Sequence, residues 1–253
     1  MVRLTCAESR RGQRGRSIRP LRGICWVQIH PMIGSLIKFG VMAVACGYLI
    51  RQVRRPSRWL GRIIVTDMNK RHASLTDWGI SLVEIKEEWT ILDVGCGGGR
   101  TIGELAKAAK GGSVYGVDYA QGSIAASRAF NRWLIAEGRV HIEHGTVSKL
   151  PFADCLFDLV TAIETQYYWP NLKEDMREIW RVLKPGGKLL VVAENYKGGR
   201  FDWLEGPLMR ILLGSSRLRP SDQHALFKAT GYTDIQVGEE RRKGWICVVG
   251  TKV

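Results

Sequence analysis

From residue 90 onward, apolar residues fall into short runs that alternate with longer stretches of helical spacing. The runs at 90–94, 113–118, 139–144, 157–164 and 188–194 predict strands, and the stretches at 100–110, 122–137 and 171–183 predict helices. The last helix has the clearest period, with Leu172, Met176, Ile179, Trp180 and Leu183 on one face, and Pro185-Gly186-Gly187 stops it. A further helix and two strands, at 233–239 and 245–251, complete the pattern. Strands alternating with helices predict an α/β fold with a parallel sheet and crossover helices.

Before residue 90 the pattern differs. Residues 32–50 form an apolar run broken only by Lys38 and followed at once by "RQVRRPSR". Its length just reaches that of a membrane-spanning helix, and Arg51, Arg54, Arg55 and Arg58 would then lie on the cytoplasmic side. The alternative is an ordinary helix packed on the main domain. Residues 51–89 are helical in character, and in "MNKRHASLTDWG" either Thr76 or Asp77 is expected to cap a helix running through Ile80 and Val83. This segment is expected to act as a lid. Residues 1–31 read as a basic, unstructured tail, a transit peptide, or sequence upstream of a start at Met32. The expected organisation is therefore tail 1–31, candidate anchor 32–50, lid 51–89 and main domain 90–253.

Charge sharpens this division. The formal net charge is +14, yet 15 basic and 2 acidic residues precede residue 73, against 23 and 22 after it. The main domain is nearly neutral, so no specific nucleic-acid partner is expected; arginines flanking an apolar run are explained by topology. Cys6, Cys25, Cys46, Cys96, Cys155 and Cys247 contain no CxxC pair and no histidine at ligand spacing, which argues against a zinc site or a disulfide framework and for a reducing compartment. No metal is expected.

The chemistry concentrates where the first strand gives way to "GCGGG". Gly95, Gly97, Gly98 and Gly99 permit a tight turn with close approach of a ligand, and the following helix presents free N–H groups. Asp93 argues against a diphosphate there and for an ammonium group. The dinucleotide spacing G-x-G-x-x-G fails at Arg100, and no Gly-Lys-Ser/Thr follows for a nucleotide phosphate loop. At the end of the second strand, Asp118 in "VYGVDYA" can accept both hydroxyls of a ribose. For a lone aspartate a turn or cap role is the better reading; two, each ending a strand beside this turn, favour a ligand.

Four ordered motifs, "ILDVGCGGG", "VYGVDYA", "LPFADCLFDLVTAIE" and "EIWRVLKPGGKLLVV", make residues 90–253 resemble a class I S-adenosylmethionine-dependent methyltransferase of the type 11 group. The resemblance implies a Rossmann-like, mostly parallel seven-stranded sheet with an antiparallel last strand and helices on both faces, preceded here by an N-terminal helical extension. It implies S-adenosylmethionine as cofactor, with Gly95, Cys96 and Gly97 along its methionine part and Asp93 near its amino group. Asp118 would hold the ribose hydroxyls, Tyr119 would lie against the adenine, and Ile163 would line the same site. Thr146 stands where many relatives carry an acid for the adenine amino group, so that contact falls to the Thr146 hydroxyl or the Val147 backbone.

Beyond the fourth strand, "IETQYYWP" would face the methyl group. Glu164 is a candidate base or acceptor contact, with a plain ion pair as the alternative. Tyr167 is a candidate catalytic side chain, although one of the two tyrosines is expected in the core. His72 is a candidate base if the preceding helix folds over the site, and otherwise a hydrogen-bonded structural histidine. No Asn/Asp-Pro-Pro-Tyr/Phe loop and no Pro-Cys pair at the fourth strand point to a nucleobase acceptor. Residues 195–223 form a long amphipathic insert that suits an apolar small molecule or lipid, though core packing explains the same residues. The expected activity is methyl transfer to a small, hydrophobic acceptor, with the domain anchored on the cytoplasmic face of a membrane or free in the cytoplasm. The alternatives are a protein that binds the cofactor without turnover, and methylation of RNA or protein.

Overall fold

The computed structural model describes residues 29–54, 56, 58–194, 196–200, 202–203 and 217–253. Residues 1–28 of the tail expected at 1–31, and about half of the insert expected at 195–223, lie outside the described residues, whereas residues 29–31 are helical. Helices α1 (Ile29–Arg54), α2 (Arg58–Arg71) and α3 (Ala73–Ile80) precede the sheet. The chain divides into two units, Met1–Ala45 and Cys46–Val253, and the second contains the whole α/β domain.

Seven strands, β1 (Thr90–Val94), β2 (Ser113–Asp118), β3 (Val140–His144), β4 (Phe157–Ile163), β5 (Leu183–Glu194), β6 (Tyr232–Glu240) and β7 (Trp245–Lys252), form one sheet in the order β3-β2-β1-β4-β5-β7-β6. β1 to β5 pair in parallel, and β7 runs antiparallel to both β5 and β6. The strand pleat explains the two cores: neighbours in sequence go to opposite faces. Leu92, Val160 and Leu189 pack with Met176, Ile179 and Phe227 on one face. Ile91, Leu159 and Leu190 pack with Ile102, Leu105 and Leu75 on the other. Each of these side chains is at most 1% exposed, worth roughly 1.5–3 kcal/mol per residue by area.

The connecting helices are α4 (Arg100–Ala108), α5 (Gln121–Phe130), α6 (Arg132–Ala136), α7 (Leu172–Val182) and α8 (Pro220–Ala229). Two expectations need correction. The helix expected at 122–137 is broken at Asn131, whose side-chain amide donates to the carbonyls of Gly99 at 2.9 Å and Ser127 at 3.1 Å. Thr76 and Asp77 do not cap a helix; they lie inside α3, whose first residue follows His72, and Asp77 instead receives Arg100 of α4. Residues 32–50 are helical within α1. Among the described residues no helix is long and apolar enough to cross a membrane.

Helix α3 seats closely on the sheet because Gly79 has no side chain. A Cβ there would run into the Cγ2 atom of Val192 on β5. With Arg100 Nη2 bound to both Asp77 oxygens at 2.9 and 3.0 Å, α3 is tied to the helix that follows the glycine turn.

Candidate active site

Three glycines of the turn after β1 adopt left-handed backbone, with φ of +77° at Gly95, +50° at Gly97 and +79° at Gly99. The N–H groups of Gly95 and Cys96 both donate to the Val117 carbonyl, at 2.8 and 3.1 Å, which ties the turn to the end of β2. A side chain at 95 would come within 2.5 Å of Thr165 Oγ1. At 97 it would meet nothing nearer than the Gly95 carbonyl oxygen at 3.9 Å, so the space in front of that residue is open. Cys96 is buried beside Gly116 and Ile102, and burial pushes its thiol well up, which fits a filler and not a nucleophile.

Asp118 closes the end of β2. One of its carboxylate oxygens accepts the Gly97 N–H at 3.0 Å and the other the Ala120 N–H at 2.8 Å. Burial raises its pKa, and these two N–H bonds oppose the rise. A hydrogen bond with the Ser123 side chain opposes the rise as well. Asp93 sits differently. It is 2% exposed, takes the Thr161 hydroxyl at 2.7 Å and does not reach the cavity wall. Burial lifts its carboxyl to about 7, Thr161 opposes this, and the charge of Asp118 adds to it.

In front of the turn lies a cavity of about 420 Å³, within the size range of small-ligand sites. Gly95, Cys96, Gly97, Asp118 and Tyr119 form one wall, and Thr146, Val147 and Ile163 continue it. Opposite are Met68 and Asn69 of α2, Thr76 of α3, and His72 between the two helices. Glu164, Tyr168 and Trp169 complete the rim. The structure thus brings together the residues expected at the site except Asp93, which lies beneath it, Tyr167, which stands behind Glu164, and Gln166, which is buried against Gln223.

Glu164 follows β4 with φ +58°, a left-handed backbone uncommon outside glycine. Tyr167 donates its hydroxyl to one Glu164 oxygen, and the Glu194 N–H donates to the other at 2.6 Å. His72 Nε2 lies 3.3 Å from Glu194 Oε1 and 3.8 Å from Glu164 Oε2. Burial lifts Glu164 to about 7 against the opposing pull of His72. Burial alone would lower the His72 pKa, but its hydrogen bond to Glu194 and the charges of both glutamates raise it. Glu194 is lowered, first through its hydrogen bond with His72. Among the described residues, His72, Glu164 and Glu194 are the grouping whose ligand atoms lie close enough for a metal ion, within 4.8 Å. Both Glu164 oxygens, however, already accept hydrogen bonds, so the set is satisfied as a hydrogen-bonded cluster.

Glu194 and Asn131 are site or supporting residues that the pattern of the sequence did not single out. Glu194 had a signal: it ends the strand beside the one that Glu164 follows, and ligands of such sheets gather at the carboxyl ends of strands. Asn131 had none, since its partner Gly99 is distant in sequence.

Residues 92–191 match a family model described as "Methyltransferase domain". The chain is 37% identical over 101 residues to "Methyltransferase GfsG" of Streptomyces halstedii, covering 40% of this chain and 36% of that one. It is 32% identical over 138 residues to "Sterol 4-C-methyltransferase strm-1" of Caenorhabditis elegans, covering 54% and 39%. The matches thus span between a third and two fifths of these relatives' lengths. In fold, it resembles a solved putative methyltransferase in complex with the Haloferax volcanii Trm112 methyltransferase activator, with TM-score 0.64 at 20% identity, covering 74% of this chain and 92% of that one.

Proposed function

We propose that the protein transfers a methyl group from S-adenosylmethionine to a small, apolar acceptor, a reading supported by the match of residues 92–191 to the methyltransferase domain model. The observation that carries this reading is Asp118. Its two oxygens are oriented by backbone N–H groups from the glycine turn and from the start of α5, and the carboxylate lines the cavity where ribose hydroxyls would meet it. The open space before Gly97 suits the methionine part, Tyr119 offers a face to the adenine, and Thr146 and Val147 offer its polar edge a hydroxyl and a backbone. Asp93 acts from beneath, as a buried carboxyl under the turn and not as a direct contact.

The cofactor, when bound, supplies an activated methyl group on a sulfonium. The protein's part is to hold the acceptor in line with it and keep water out, which is where most of the rate enhancement of such a displacement arises. Met68, Thr76, Tyr168 and Trp169 give the acceptor half of the cavity its largely apolar wall. An apolar acceptor also accords with the sterol named for the Caenorhabditis elegans relative. Isothermal titration of the full chain with S-adenosylhomocysteine tests the reading. Asp118→Ala is expected to weaken binding by roughly 10- to 150-fold, the loss of hydrogen bonds to a charged group. Equal binding by the variant, or none by the folded wild type, overturns it.

We also propose that the chain works at the cytoplasmic surface of a membrane, held there by α1. Phe39 and Val44 are 72% and 74% exposed, and Val41, Met42, Tyr48 and Leu49 are exposed as well. A helix apolar on every side needs an apolar surrounding. Lys38 and Arg51 at the ends of this stretch suit anionic headgroups.

A further inference from the structure

The cluster behind the acceptor half of the cavity has two layers. His72 and Glu164 line the cavity, whereas Glu194 and Tyr167 stand behind them. From this geometry we infer that His72 is the base that takes the acceptor's proton, that Glu194 is its positioning residue, and that the acceptor atom is therefore a hydroxyl oxygen. This rests on the methyl-transfer reading above and narrows its acceptor.

His72 enters between α2 and α3 with no side-chain capping role, so its ring is not spent on the helix start. Its Nε2 is the nitrogen near both carboxylates, 3.3 Å from Glu194 and 3.8 Å from Glu164. A neutral imidazole that gives its Nε2–H to Glu194 keeps Nδ1 as its basic atom. Glu164 cannot swing to replace Glu194, because Tyr167 and the Glu194 N–H hold its two oxygens. Its left-handed backbone is a local strain that persists only where the surroundings impose it, and such strain gathers at functional sites. The groups facing His72 are thus Glu164 after β4, Glu194 at the end of β5 and, from its own segment, Arg71, whose charge opposes protonation.

In the step itself, the hydroxyl oxygen forms a bond to the methyl carbon as the carbon–sulfur bond breaks. The electron pair of that bond goes to sulfur, which becomes a neutral thioether, and the hydroxyl proton goes to His72 Nδ1. A base is needed because an alcohol or phenol is a weak nucleophile while it keeps its proton, whereas a neutral amine or a thiolate needs none; a carbon acceptor must also lose a proton, and the position of the transferred label tells the two apart.

The test uses the full chain with nitrogen-15-labelled histidine, His72 being assigned by loss of its signal in His72→Gln. In the wild type, His72 is expected to titrate above 6.5 and, when neutral, to carry its proton on Nε2. Glu194→Gln is expected to lower the midpoint by about one unit, the scale of one close charge partner. Glu164→Gln, which leaves the hydrogen bond to His72 in place, is expected to lower it less. A midpoint unmoved in Glu194→Gln, a larger drop in Glu164→Gln, or displacement of the His72 proton by micromolar zinc would overturn the inference, the last by making the cluster a metal site. A second arm incubates the protein with methyl-labelled S-adenosylmethionine and a total lipid extract. Label on oxygen supports the inference, and label confined to carbon or nitrogen overturns it. Failure of the methyl-transfer reading would show separately, as loss of S-adenosylhomocysteine binding with the His72 titration intact.

Discussion

Asp93 shows how much a single buried carboxyl can do without touching a ligand. Its folded pKa of about 7 stands well above the ordinary carboxylate value, so the folded state binds the proton more tightly than the unfolded one. Stability is therefore expected to fall as pH rises from about 4 to about 7, by at most about 1.4 kcal/mol per pH unit for this group. Glu164, also raised to about 7, adds a slope of the same sign. Asp93→Asn keeps an oxygen for the Thr161 hydroxyl and removes the charge. Urea unfolding of the variant at pH 5 and pH 8 is expected to give a smaller difference than the wild type, with the gain at pH 8; an unchanged slope would refute the burial argument. Residue identities at the site were largely legible because strand ends and glycine turns mark themselves in sequence. Their facing was not. Asp93 points to Thr161 and Tyr167 to Glu164, while Tyr168 turns to the cavity, because a 3₁₀ turn at Gln166–Tyr168 sends adjacent side chains in different directions.

Element positions were readable wherever local pattern decides them, as for β1 and β2, whose bounds match expectation to the residue. They were not readable where a distant partner decides. The break at Asn131 exists because its amide serves the Gly99 carbonyl 32 residues away. β5 begins at Leu183, earlier than expected, because Pro185-Gly186-Gly187 forms an irregularity within the strand and not a loop before it. The seating of α3 is another tertiary matter, and it makes a prediction. Alanine at position 79 gains about 1 kcal/mol of helix propensity, but its methyl must displace Val192, an overpacking that costs typically 1–3 kcal/mol. Gly79→Ala is expected to destabilise the protein by about 1 kcal/mol in urea unfolding. In a Val192→Ala background the same change is expected to stabilise it. Equal costs in both backgrounds would mean that α3 does not rest on Val192.

At the scale of the whole chain, charge and hydrophobicity are separated, with the basic excess before residue 73 and the near-neutral domain after it. Flotation with anionic lipid vesicles tests the membrane proposal at this scale. The intact chain is expected to float, and Phe39→Ser with Val44→Ser to leave it in the dense fraction. High salt is expected to weaken binding without abolishing it, since screening removes the arginine contribution and leaves the apolar one. A wild-type chain that stays in the dense fraction at low salt refutes the proposal. The order of the sheet carries a different consequence, for the birth of the molecule. β7 is made after β6 yet lies between β5 and β6. At synthesis speeds of about 5–20 residues per second, β6 emerges with no neighbour and waits for the strand that will join it to the rest. Until Trp245–Lys252 slides into that slot, β5 is an open edge and β6 has no partner, and a chaperone or a second nascent chain has its best chance of pairing with either.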